Sequence, residues 1–112
     1  MISFDITPNK TNFTSVKSPN KLEIAAFWKN VKSISGYQIQ LSKSSDFKTN
    51  VKTFDRPASH ENVLFKKNPK SSFLNSKKKY YLRIRTYKKV KYKGKSVRIY
   101  SPWSKTESVK IK

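Results

Sequence analysis

The stretch Tyr80-Tyr81-Leu82-Arg83-Ile84-Arg85-Thr86-Tyr87 alternates with period two. Tyr80, Leu82, Ile84 and Thr86 therefore point to one face of a β-strand, and Tyr81, Arg83, Arg85 and Tyr87 to the other. The first face is core, and the second carries cations and aromatics. Leu74 lies six residues before Tyr80, and Ser101-Pro102-Trp103-Ser104 follows at a hairpin's distance.

The same alternation runs outward in both directions. Across Lys21 to Lys29, Leu22, Ile24, Ala26 and Trp28 share one face, and Glu23, Ala25 and Phe27 the other. Gly36 opens a third strand in which Tyr37, Ile39 and Leu41 face inward and Gln38, Gln40 and Ser42 form a wet outer face. Further strands are expected at Thr11 to Lys17, at an edge from Lys48 to Phe54, and around Val63-Leu64-Phe65. The central strand is expected to continue to Tyr92. Lys93-Gly94-Lys95 reads as a tight hairpin, because Gly94 takes a positive φ without penalty. Val97 to Tyr100 would return against it, and Lys105 to Lys112 would close the sheet with Val109 and Ile111 inward. The prolines at positions 8, 19, 57, 69 and 102 punctuate these runs, and no helix-period segment of useful length competes with them. The fold class is all-β.

A length of 112 residues fits one domain with a single core. We expect residues 1–10 to be a partly ordered N-terminal lead and 11–112 to form the domain. The absence of cysteine rules out disulfides, thiolate metal sites and a thiol nucleophile. No apolar run approaches membrane-spanning length, and the N-terminus carries no basic segment followed by an apolar one. Either the chain is cytosolic, or it is a module of a longer secreted protein.

Lysine and arginine number 26 against 6 acidic residues, a net charge of +20. Between Glu61 and Glu107 there is no carboxylate at all. Such a field repels itself and attracts polyanions such as nucleic acid, acidic glycans or anionic wall polymers. A solvated, compositionally basic surface is the alternative.

Seven strands with single-sided alternation, a tryptophan on the second and a tyrosine opening the sixth resemble a fibronectin type III domain, an immunoglobulin-like β-sandwich. The resemblance covers about Pro8 to Lys112 and rests on Trp28, the Gly36-Tyr37 opening, the Leu74 to Tyr80 spacing and Ser101-Pro102-Trp103-Ser104. It implies that Trp28 sits at the centre of the core, and that Leu74 and Tyr80 form a tyrosine corner whose hydroxyl ties a loop to its own backbone. The expected core is Leu22, Ile24, Trp28, Tyr37, Ile39, Leu74, Tyr80, Leu82, Ile84 and Val109. The doubled tyrosine, alternating arginines and basic hairpin look like members found in surface and secreted proteins of low-GC Gram-positive bacteria. Asn68-Pro69-Lys70-Ser71-Ser72 departs from the family's pattern by separating the fifth strand from Leu74.

Catalysis finds little footing. His60 is the single histidine, and the carboxylates Asp5, Glu23, Asp46, Asp55, Glu61 and Glu107 are scattered without ligand spacing. No glycine-rich phosphate loop can be built from Gly36 and Gly94 alone. We therefore expect no enzyme, no cofactor and no metal. The candidate polyanion-binding residues are Tyr81, Arg83, Arg85, Tyr87, Lys89, Lys91, Lys93, Lys95 and Arg98. Arginine forks bind phosphate or carboxylate, and tyrosines stack on bases or sugars. The competing reading is that Arg83 and Arg85 stack on Tyr81 and Tyr87 as sheet cover, with Trp103 over the arginine stems. No Arg-Gly-Asp triplet is present, and Asn9-Lys10-Thr11 and Asn12-Phe13-Thr14 fit the N-glycosylation pattern.

The expectation is thus a non-catalytic, extracellular or cell-surface spacer or adhesion module. It would be monomeric by itself, flanked by neighbouring domains, with a cationic face for anionic wall polymers or glycans. The alternative is a free-standing cytosolic domain that binds nucleic acid through the same face.

Overall fold

The computed structural model describes residues 8–48, 51–66 and 78–111. Eight strands follow one another: β1 (Phe13–Lys17), β2 (Glu23–Trp28), β3 (Gly36–Ser42), β4 (Val51–Pro57), β5 (Asn62–Lys66), β6 (Lys79–Tyr92), β7 (Lys95–Tyr100) and β8 (Glu107–Lys110). They form two sheets with orders β1-β2-β5 and β4-β3-β6-β7, and β8 also pairs with β6. Every pairing is antiparallel.

Apolar residues at every second position give each sheet one inward face, and the two faces meet. Ile24, Ala26 and Trp28 come from β2, Val63 and Phe65 from β5, Tyr37, Ile39 and Leu41 from β3, and Tyr80, Leu82 and Ile84 from β6. Val109 and Ile111 close the lower end. Burying each large side chain contributes roughly 1.5–3 kcal/mol.

The two central aromatics also satisfy their polar ends. Trp28 and Tyr37 pack with ring centroids 5.3 Å apart. The Trp28 indole N–H donates to the carbonyl of His60 at 3.0 Å, which makes that residue's backbone a structural part of the core. The Tyr37 hydroxyl accepts from the Val31 amide and donates to Asn30 Oδ1, both at 2.9 Å, and so fixes the loop between β2 and β3.

The count is eight rather than seven because the returning and closing stretches at the C-terminal end are two separate strands. β7 and β8 both lie against β6, separated by residues 101–106. Pro102 has no amide hydrogen to give a ladder. Ser101 and Ser104 repair the gap: Ser101 N–H donates to Thr86 O at 3.0 Å while its hydroxyl accepts from Thr86 N at 2.9 Å. Ser104 does the same with Ile84, at 2.8 Å and 3.0 Å. The two intervals from Ile84 to Thr86 are thereby matched to three from Ser101 to Ser104, a bulge that turns Trp103 outward.

Three further differences have physical reasons. Leu22 is half-buried rather than central, because it sits in the turn before β2 with φ of 60°. The edge strand β4 begins at Val51 and runs to Pro57, so that Phe54 packs inward on Phe65 with centroids 4.8 Å apart. Val63 and Phe65 of β5 are added to the core, and Ala26, Leu41 and Ile111 are buried on the inward faces where alternation placed them. Leu74, and with it the tyrosine corner, lies outside the described residues. Replacing Trp28 with alanine should lower stability by roughly 3–5 kcal/mol, read as the shift in denaturant midpoint at unchanged m-value.

Candidate functional site

Strand β6 is 14 residues long, and only part of it is flanked on both sides. Its pairing with β3 runs from Ser42↔Tyr81 to Gly36↔Tyr87 and ends there. Residues beyond Tyr87 pair with β7 alone, through Tyr92↔Lys95. The outer surface of this sheet therefore has two regions, a broad one over β3 and β6 and a two-stranded ribbon projecting past it.

On the broad region the arginines are stacked. Arg83 lies between Phe47 and Trp103, its guanidinium carbon 4.3 Å from each ring centroid. Arg85 lies between Trp103 and Tyr100, at 4.2 Å and 3.6 Å. The result is an alternating series of aromatic ring, cation, indole, cation and ring. Register explains how the forks are held: Gln40 stands opposite Arg83 and Gln38 opposite Arg85. Each glutamine Oε1 accepts from both Nε and Nη2 of its arginine, at 2.8 Å and 2.6 Å. Burial pulls both guanidinium groups below their usual value, and for Arg85 the neighbouring charge of Arg83 adds to this against an opposing pull from Tyr100. Arginine nevertheless stays charged across the accessible pH range.

Trp103 lies over both arginines, as the cover reading expects, and Phe47 and Tyr100 complete the stacks in place of Tyr81 and Tyr87. Tyr81 is half-buried, with the Lys79 ammonium 5.6 Å from its ring. Tyr87 is only 6% exposed. Its ring lies flat across the end of β3, where a Cβ on Gly36 would come within 2.6 Å of the Tyr87 hydroxyl. Glycine at position 36 is what lets the ring lie there. Arg98 covers the other side, 4.1 Å from the ring centroid, and reaches Asp55 at 3.2 Å. Bonding to Tyr100, ahead of the Asp55 contacts, holds Arg98 above its usual value.

The ribbon is different. Its turn is Lys93-Gly94 with φ of 50° and 77°, the pair of left-handed residues that a two-residue hairpin turn of this twist needs. Lys89 and Lys91 project from one face together with Ser96 and Arg98, their pairing partners. Lys95 is opposite Tyr92, and with Lys88 it belongs to the other face, alongside Val90, Val97 and Ile99. Lys93 is at the tip, its ammonium 5.4 Å from the Tyr92 ring. Among the described residues none of Lys88, Lys89, Lys91, Lys93 and Lys95 is in an ion pair. The ribbon's base is fastened where β3 stops: Ser35 N–H donates to Tyr87 O, and its hydroxyl accepts from the Lys89 amide, both at 2.8 Å.

The nine candidates thus fall into two groups. Tyr81, Arg83, Arg85, Tyr87 and Arg98 are engaged with the protein, and Lys89, Lys91, Lys93 and Lys95 are on the ribbon. Gln38, Gln40, Phe47, Tyr100, Asp55 and Lys88 were not among the candidates. The Gln-x-Gln and Arg-x-Arg spacings were a usable signal once the strands are aligned. Phe47 carried none, being a loop residue far away in sequence.

By sequence the chain matches no family model and no curated protein. Solved structures do resemble it. A fibronectin type III domain of human contactin 1 superposes with a TM-score of 0.68 at 16% identity, covering 100% of this chain and 85% of that one. The FN1–FN3 domains of chicken CNTN1 match with a TM-score of 0.67 at 21% identity over 95% of this chain, which spans only 31% of that longer segment. An Fn3-like protein from Clostridium thermocellum matches with a TM-score of 0.63 at 12% identity, covering 93% of each chain. The chain has the fibronectin type III fold.

The stacked series makes two testable statements. Trp103→Ala removes a ring that serves two guanidinium groups, so it should cost about 1–2 kcal/mol from those contacts alone in thermal or denaturant unfolding. Gly36→Ala should cost more than its small size implies, because its Cβ would meet both the Tyr87 hydroxyl and the Arg56 carbonyl oxygen, at 2.6 Å and 2.7 Å. Its signature is a Tyr87 ring shifted off β3, read in side-chain NMR contacts.

Proposed function

With a fibronectin type III sandwich as the starting point, we propose that this chain is a non-catalytic module of a longer surface or secreted protein, a spacer that also holds anionic polymers through its β6–β7 hairpin. Wall polymers, acidic glycans and nucleic acid are the anionic polymers open to such a hairpin. The observation that carries the reading is the division of the cations. The arginines of β6 have their donors turned to Gln38 and Gln40 and their faces covered by rings. Among the described residues Lys89, Lys91, Lys93 and Lys95 form no ion pair, and they sit in a stretch without a carboxylate from residue 62 to residue 106. A stacked arginine face is a poor ligand surface, whereas free ammonium groups on a projecting element exchange counterions for a polyanion. Nucleic acid gripped by Tyr81, Arg83, Arg85 and Tyr87 loses support for the same reason.

The test is retention on an immobilised sulfated polymer across a salt series. Two variants of equal net charge are compared: Lys89, Lys91, Lys93 and Lys95 all changed to glutamine, and Lys17, Lys29, Lys66 and Lys110 all changed to glutamine. The hairpin variant should elute at distinctly lower salt than the second. Equal shifts would make retention a matter of net charge and remove the hairpin's role. No retention of the unaltered chain at low salt would leave only the spacer.

A further inference from the structure

The placement of charge on the ribbon narrows the polymer it fits, an inference that rests on the hairpin being the polyanion-contacting element. From Lys88↔Ile99 to Tyr92↔Lys95 there are five strand pairs with no third strand among the described residues, a length of about 17 Å at the usual rise per residue. Lysines occupy both faces of the projection and its tip. Lys89 and Lys91 are on one side, Lys88 and Lys95 on the other, and Lys93 is at the turn. A single linear polyanion, or a flat anionic surface, meets one face of such a finger at a time. A cleft with phosphates along both walls meets all of it.

We propose that the 88–99 ribbon enters the major groove of double-stranded DNA. That groove is about 12 Å wide and admits a two-stranded ribbon, whereas the minor groove, about 6 Å wide, does not. Side chains on the two faces of a ribbon together span about 10 Å, the spacing at which sheets stack. Lys95 then faces phosphates of one wall, and Lys91, with Lys89 above it, those of the other. Lys93 points to the floor, where lysine donates to guanine O6 and N7. The type of turn suits this, since two residues at the tip add no bulk to the finger. The Ser35 bonds to Tyr87 and Lys89 hold the ribbon's direction fixed relative to the sandwich.

Fluorescence anisotropy with the whole chain and three probes tests the proposal. The probes are a short DNA duplex, an RNA duplex of the same sequence, and a linear poly(glycerol phosphate) of similar charge. A-form RNA has a deep, narrow major groove that side chains cannot read. DNA should therefore bind about tenfold or more tighter than either other probe, with log affinity falling against log salt at a slope of about −2.7 for three phosphate contacts. Filling the groove with glucosylated hydroxymethylcytosine should abolish that preference. Lys91→Gln and Lys95→Gln should each reduce the slope by about 0.9, and Lys66→Gln, on the opposite sheet, should leave it unchanged. Equal affinity for all three probes would overturn groove entry while leaving polyanion binding by the hairpin intact. Binding to none of them would overturn both.

Discussion

Strand β6 carries more of this molecule than any other element, because its two edges and two faces are each committed to a different task. One edge is bonded to β3, and the other to β7, then to the hydroxyls and amides of Ser101 and Ser104, then to β8. Its inner face supplies Tyr80, Leu82 and Ile84 to the core. Its outer face supplies the two stacked arginines. A shift of one residue in its register would exchange these faces and place guanidinium groups in the core, so the alternation is enforced by the cost of burying charge.

The outer series shows how a strongly basic chain manages cations at close quarters. Successive arginines on one face of a strand repel each other and lose solvent. Here each is separated from the next by an aromatic ring, and each fork is bonded to a glutamine on the neighbouring strand. Arginine suits this where lysine would not, since its planar group stacks on both faces while donating from its edge. The bulge around Pro102 is what brings Trp103 between the two arginines. Thus the interruption of the last strand and the ordering of the charges have a single cause.

On the sandwich's second outer face, Phe27 and Leu64 are 37% and 45% exposed. They are on neighbouring strands, with Lys17 over the Phe27 ring at 5.7 Å. Isolated exposed apolar side chains of this kind are ordinary on a soluble surface. The concentration of features on the other sheet is therefore the more informative asymmetry.

Period-two alternation by itself determined the all-β class, the inward set on β2, β3 and β6, and the hairpin at Gly94, because side-chain direction along a strand follows directly from the order of residues. Composition determined the charge. How the cations are held was decided in three dimensions: the sequence offered Arg83 and Arg85 both as ligand groups and as sheet cover beneath Trp103, and strand register set glutamines opposite them while a bulge delivered Trp103 between them. The tertiary structure alone also put Phe47 at the end of the series, buried Tyr87 under Arg98, and divided the hairpin lysines between two faces. Those outcomes depend on contacts between residues distant in sequence, and pairing register, not local pattern, selects such partners.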